Sequence, residues 1–69
     1  MALGNRLKIF RAEKGLNQQE LGTLVGASRQ TISLIERGDY NPSITLALRI
    51  ARVFGRPVDE VFYLTEEDS

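Results

Sequence analysis

The chain has 69 residues, with nine Lys or Arg, nine Asp or Glu, and neither cysteine nor histidine. This length suits one domain with a small core, and the missing residue types exclude disulfides, thiolate or imidazole metal ligands, and cysteine or histidine catalysis. No apolar run approaches the roughly 20 residues of a membrane span, and the first residues do not form a signal peptide. We therefore expect a cytoplasmic protein with no membrane partner, no metal and no cofactor.

The net charge of zero conceals an uneven distribution of charge. Residues 1–55 carry eight basic and four acidic side chains, so this part is +4. Residues 56–69 carry one basic and five acidic side chains, so the end is −4. A basic body suits an anionic partner, and ordinary solvated surface charge accounts for the same pattern equally well.

Glycines and helix-capping residues predict short helices in the first half of the chain. The first helix is expected over 5–14 and ends at Gly15. The second is expected over 18–25, where Asn17 and Glu20 have the spacing of a capping box. The side chains predicted to face the core are Leu7, Phe10, Leu21, Leu24 and Val25.

The second half predicts three more helices, over 29–37, 44–54 and 58–62. Serines at positions 28 and 43 are expected to cap the first two, and Pro57 cannot cap the last with its side chain. The predicted inward residues are Ile32, Ile35, Leu46, Ala47, Ile50, Phe54, Val61 and Phe62. Of all segments, "FYLT" best fits an extended strand, and it could pair with "MALGN". We predict an all-α, five-helix domain over 1–64, a short extended C-terminal segment as an option, and an acidic tail over 65–69 that frays beyond Thr65.

The second and third helices are separated by only Gly26, Ala27 and Ser28. So short a link forces a sharp turn, as in a helix-turn-helix, where two helices at about 90–120° are joined by three or four residues. Gly26 adopts positive φ without a Cβ penalty, and Ser28 both ends the turn and caps the next helix. The spacing therefore predicts a helix-turn-helix.

The third helix has an unusual outer face. At about 100° per residue, Ile32 and Ile35 point to the core, and the side chains left outside are Arg29, Gln30, Ser33, Leu34 and Arg37. Arginine pairs with guanine, glutamine with adenine, and leucine packs on a thymine methyl, so this face suits a DNA major groove. For an isolated helix a solvated surface would be the better interpretation, with Leu34 packing on a neighbouring loop or chain; the helix-turn-helix context favours DNA.

The string "LNQQELGTLVGASRQTISLIERGDYNPSITLALRIARVFG" resembles the Cro/CI-type helix-turn-helix family, also called the XRE family, over about residues 4–64. The specific part is Q-x-E-L, then G-x-S-R-Q-T-I-S-x-I-E-x-G, then N-P-S. The sequence is most similar to small stand-alone bacterial and archaeal members, including the cytolysin-repressor type. The resemblance implies a Cro/CI-repressor-like fold and a homodimeric regulator, a repressor by preference, on a near-palindromic double-stranded DNA operator.

The resemblance also implies roles for individual residues. Base contacts are implied for Arg29, Gln30, Ser33 and Leu34, and DNA-backbone contacts for Gln18, Thr31, Arg37, Tyr40, Asn41 and Ser43. A loop ring that covers the edge of the core is an equally good interpretation of Tyr40. Asp39 would repel a phosphate and is left out of the predicted site.

Two further pairs of residues are implied to act within the protein or between its copies. Arg11 and Glu36 lie beside the buried stripes of their helices, and family members have an ion pair there; we interpret it as structural rather than DNA-binding. Tyr63 and Leu64 are expected in a dimer interface, or folded back on Leu3 and the first helix of the same chain, or both.

A different class of function remains open. A helix-turn-helix fold can bind a protein, as an antitoxin-like partner does, and the acidic tail with Tyr63 and Leu64 would then form the binding segment. An enzyme is not expected, because no set of catalytic residues converges. No small-molecule effector is indicated.

Overall fold

The computed structural model describes residues 2–66. Within this range the chain forms five helices and two strands. The elements in chain order are β1 (Ala2–Asn5), α1 (Leu7–Lys14), α2 (Gln18–Val25), α3 (Arg29–Glu36), α4 (Ile44–Phe54), α5 (Val58–Val61) and β2 (Phe62–Thr65). None of these helices is long and apolar enough to span a bilayer.

The two strands form an antiparallel pair between the beginning and the end of the described chain. Ala2 lies opposite Thr65, and Asn5 lies opposite Phe62. The predicted pairing of "FYLT" with the N-terminal residues is therefore confirmed, and the five-helix domain is mostly helical rather than strictly all-α. Aromatic and β-branched residues in β2 favour this extended conformation. Thr65 belongs to the strand, and residues 67–69 lie outside the described range, so fraying of the tail stays a prediction.

The sheet also shifts the ends of two helices. The first helix begins at Leu7 rather than at Asn5, because Asn5 belongs to β1 and its side chain accepts a hydrogen bond from the Leu7 amide at 3.1 Å. The last helix ends at Val61 because Phe62 begins β2. Pro57 precedes α5 and provides no side-chain cap, as expected.

Helix caps follow the predictions closely. The Asn17 side chain accepts from the Glu20 amide at 2.7 Å, and the Glu20 carboxylate accepts from the Asn17 amide at 2.9 Å. The hydroxyls of Ser28 and Ser43 each accept from the amide three residues ahead at 3.0 and 3.1 Å. These bonds satisfy amides that a helix start leaves without a partner.

The core lies between the helices and takes its side chains from α1 through β2. Its buried members are Leu7, Phe10, Leu21, Val25, Ile32, Ile35, Ala47, Ile50, Ala51, Phe54, Val61 and Phe62. Leu46 packs against this cluster while remaining partly exposed. The inward prediction for Leu24 is wrong, because 59% of its surface is exposed. Gly22 is buried instead, so the contact face of α2 runs through Leu21, Gly22 and Val25.

Loss of the α2 cap should lower stability. We expect Asn17→Ala to lower the free energy of unfolding by about 1 kcal/mol, or about 4–8 °C in the melting temperature of a domain of this size. Asn41→Ala is the matched control, since the Asn41 side chain is exposed and accepts or donates no hydrogen bond among residues 2–66. Circular-dichroism melting measures both, and equal melting temperatures for the two variants would contradict the prediction.

Candidate nucleic-acid interface

The turn between α2 and α3 depends on two glycines. Gly26 ends α2 with φ of 79°, in the left-handed region that favours glycine, and the Ala27 amide donates to the Gly22 carbonyl at 2.8 Å. At Gly22 an added Cβ would lie 2.5 Å from the Ala27 carbonyl oxygen, so the turn packs directly on the backbone of α2. We did not single out Gly22 from the sequence, although a glycine inside a helical pattern is a known signal of close approach.

The third helix presents the face that its spacing predicts. Ile32 and Ile35 are buried, Arg29 and Gln30 are exposed, and Ser33 and Leu34 are half-buried. The predicted rotation of the helix is therefore confirmed. Contacts of this face with bases remain a prediction.

The residues predicted to meet a DNA backbone lie on α2, on α3 and in the segment between α3 and α4. The Thr31 hydroxyl lies 3.0 Å from the Ser28 hydroxyl, and the Ser43 hydroxyl caps α4. A hydroxyl that accepts one hydrogen bond keeps its own proton to donate. Tyr40 and Asn41 are both exposed in the loop between α3 and α4.

An open depression of about 310 Å³ lies at the N-terminal end of α2. It is lined by Arg11, Asn17, Gln18, Gln19 and Arg29. Amides at a helix N-terminus and arginine side chains both favour an anion. The turn thus brings Arg29 of α3 to the same depression as Gln18 of α2.

Arg11 and Glu36 form a two-point ion pair between α1 and α3. The Arg11 Nε and Nη2 atoms donate to the two Glu36 carboxylate oxygens at 2.6 and 3.1 Å. Only 14% and 10% of the two side-chain surfaces are exposed. The hydrogen bond to Glu36 raises the pKa of Arg11, and partial burial opposes that rise. The predicted contact exists, and its assignment to stability rather than to DNA binding remains a prediction.

Two more contacts extend this pair, and we did not foresee either from the sequence. Gln18 Nε2 donates to Glu36 at 3.1 Å, and Arg11 Nη1 donates to the Leu16 carbonyl at 3.0 Å. The Gln18 side chain is therefore held in place, with its second amide proton and its carbonyl oxygen left for another partner.

Tyr63 and Leu64 lie on β2. Their position is compatible both with folding back on the same chain and with the predicted dimer interface. Leu64 is opposite Leu3 in the register, so the strand does fold back on its own chain. The Arg6 guanidinium lies 4.4 Å from the centre of the Tyr63 ring. Leu64 still exposes 66% of its surface, so the fold-back leaves most of this apolar side chain uncovered.

Removal of Arg11 should destabilise the fold. Because Glu36 would then be left nearly buried without its counter-charge, we expect Arg11→Ala to cost about 3–5 kcal/mol of unfolding free energy. Arg37→Ala is the control: Arg37 pairs with Asp39 at 3.6 Å, both side chains are more than half exposed, and such pairs contribute little. Urea unfolding measures both, and an Arg11→Ala variant as stable as the wild type would show that the pair is not structural.

Comparison with known proteins places this geometry in a family. The helix-turn-helix family model matches residues 7–61. The chain is 47% identical over 64 residues to YgzD of Bacillus subtilis, an uncharacterized HTH-type transcriptional regulator, covering 93% of this chain and 97% of that protein. It is 50% identical over 62 residues to an uncharacterized HTH-type transcriptional regulator of Methanothermobacter thermautotrophicus, covering 90% of each.

Solved structures have the same architecture. The restriction-modification controller protein C.AhdI from Aeromonas hydrophila is 33% identical, with a TM-score of 0.72 over 78% of this chain and 82% of that one. A Bacteroides fragilis protein described as a putative DNA-binding protein has a TM-score of 0.78 and covers 88% of this chain and 98% of its own, but at 24% identity it supports the fold alone. The chain therefore belongs to the XRE family of helix-turn-helix, DNA-binding transcriptional regulators.

Proposed function

We propose that this protein is a cytoplasmic, sequence-specific repressor that binds a near-palindromic operator as a homodimer. The observation that carries the proposal is the division of α3 into a buried side and an exposed polar side. Ile32 and Ile35 fix the helix to the core, while Arg29 and Gln30 at its N-terminal end are exposed. A recognition helix reads bases with its N-terminal residues in this manner.

Four residues on the outer face of α3 have chemical partners in the major groove. Arg29 donates two hydrogen bonds to a guanine, and Gln30 forms a donor–acceptor pair with an adenine. Ser33 donates or accepts at a base edge, and Leu34 contacts a thymine methyl group. The half-buried state of Leu34 is compatible with this role, because one edge of the side chain stays free.

The surrounding groups position the protein on the phosphates. In the depression at the start of α2, a phosphate accepts hydrogen bonds from the backbone amides, from the free side-chain amide proton of Gln18, and from Arg29 when Arg29 does not reach a base. Five other side chains donate hydrogen bonds to phosphates of the DNA backbone: Arg37, Thr31, Tyr40, Asn41 and Ser43. The exposed Arg37–Asp39 pair is weak, so Arg37 can exchange Asp39 for a phosphate.

The dimer forms through the exposed side of β2. Tyr63 and Leu64 supply its apolar surface, and the two recognition helices then enter successive major grooves about 34 Å apart. Bound over a promoter, the dimer represses by blocking access of the polymerase. A signal acts through protein concentration, a partner protein or the stability of the dimer.

A selection from random duplexes tests the operator and provides the probe for the variants. We expect a preferred near-palindromic duplex, with log K falling linearly with log salt concentration.

The variant Gln30→Ala should lose about 1–3 kcal/mol of preference for one base pair, whereas Arg37→Ala should weaken binding to all duplexes by the same factor. Fluorescence anisotropy on matched and mismatched duplexes separates the two effects. If the wild type selects no sequence, the operator proposal fails and a protein-interaction module becomes the better hypothesis.

A charged residue on β2 should separate the dimer. We expect Leu64→Glu to give a folded monomer by sedimentation equilibrium, because two carboxylates would face each other across the interface. Leu24→Glu is the control, since Leu24 is similarly exposed but lies on α2. If Leu24→Glu is monomeric while Leu64→Glu remains a dimer, the interface does not lie on β2.

A further inference from the structure

One side chain outside the predicted site contacts the end of the third helix. Asn5 Nδ2 donates to the Ile35 carbonyl at 3.0 Å, across 30 residues of sequence. The Asn5 Oδ1 atom accepts from the Leu7 amide at 3.1 Å. Its backbone lies in β1, opposite Phe62. Asn5 therefore joins the sheet, the start of α1 and the end of α3 through a single half-buried amide.

The Ile35 carbonyl, which accepts the hydrogen bond from Asn5, belongs to the last turn of α3. Carbonyls in this turn have no partner within the helix and need another donor. The Ile35 carbonyl receives the Gly38 amide at 3.0 Å as well as the Asn5 amide. The neighbouring residue, Glu36, is held from another side by Arg11 and Gln18.

These two attachments restrict different movements of the helix. The bonds of Arg11 and Gln18 act on the side chain of Glu36, whereas the bond from Asn5 acts on the backbone of the preceding residue. Together with the buried Ile32 and Ile35, they hold the C-terminal end of α3 at two separate points. Base-reading side chains need such support, because discrimination depends on geometry held to about 0.5 Å.

We propose that Asn5 is a positioning residue for operator recognition. It touches no base, and it acts by holding α3 at the angle at which Arg29 and Gln30 meet the correct base edges. The inference rests on the proposed function, because it needs a preferred operator. Its consequence is a specific loss of discrimination rather than a general loss of binding.

Two variants remove the Asn5–Ile35 bond and keep the local one. Asn5→Asp retains an oxygen for the Leu7 amide and replaces the donor with a carboxylate oxygen facing the Ile35 carbonyl. Asn5→Ser is neutral, its hydroxyl can accept from the Leu7 amide, and it is too short to reach Ile35. We expect each to reduce the ratio of Kd for a scrambled duplex to Kd for the selected duplex by about three- to tenfold, a part of what one base contact supplies.

This ratio separates positioning from mere stabilisation. A lower folded fraction weakens binding to both duplexes by the same factor. The negative charge that Asn5→Asp adds repels the phosphates of both duplexes equally. Neither effect therefore changes the ratio. The control is Glu13→Gln, which removes an exposed ion pair between Glu13 of α1 and Arg56 at 3.0 Å and changes no residue assigned to DNA or to the dimer; its ratio should stay within about twofold of the wild type.

Anisotropy titrations on the two duplexes give three distinguishable outcomes. A reduced ratio for both Asn5 variants, with an unchanged ratio for Glu13→Gln, supports the inference. A wild-type ratio in both Asn5 variants overturns it and leaves the operator proposal intact. If the wild-type protein itself shows no preference between duplexes, the proposed function fails, and the inference fails with it.

Discussion

The arrangement of the helix-turn-helix depends on the Glu36 carboxylate. This carboxylate accepts two hydrogen bonds from Arg11 and one from Gln18, and Arg11 also holds the Leu16 carbonyl. One acidic group thus joins α1, the loop after it, α2 and α3. Because the pair is largely removed from water, its charges and hydrogen bonds must remain matched for the fold to gain from them.

Such a contact matters because helices of this length are not stable in isolation. The first three have eight residues each, and isolated helices below about 12–15 residues are marginal in water. Capping bonds start them correctly, the shared core holds their inner sides, and the polar contacts fix their mutual angles. The same contacts involve the inner side and the C-terminal end of α3, and they leave Arg29 and Gln30 exposed on its outer face.

Local patterns in the sequence predicted much of this arrangement. The caps at Asn17, Ser28 and Ser43, the turn at Gly26 and the burial of Ile32 and Ile35 all follow from residues within one or two helical turns. Even the strand pair could be predicted from the residue types of "FYLT". The Arg11–Glu36 contact came from the family resemblance, with helical periodicity placing both residues beside the core.

The errors arose where packing between distant residues decides the outcome. Leu24 fits the apolar pattern of α2. However, Gly22 has no side chain, so the turn packs directly on its backbone, and the buried face of α2 includes Gly22 rather than Leu24. The bonds of Asn5 to Ile35 and of Gln18 to Glu36 link residues 30 and 18 positions apart. Amide side chains such as these give no periodic signal, so only the folded arrangement identifies their partners.

The strand pair also bears on the order in which the chain folds. Thr65 donates its hydroxyl proton to the Ala2 carbonyl across 63 residues, whereas the turn between α2 and α3 joins residues a few positions apart. Closing a loop costs about 0.6 kcal/mol more for each doubling of its length, so contacts of long range form late. During synthesis, β1 therefore cannot pair until residues 62–65 have been made. The helix-turn-helix can assemble first, and the strand surface that bears Leu64 is completed only when the rest of the domain is in place.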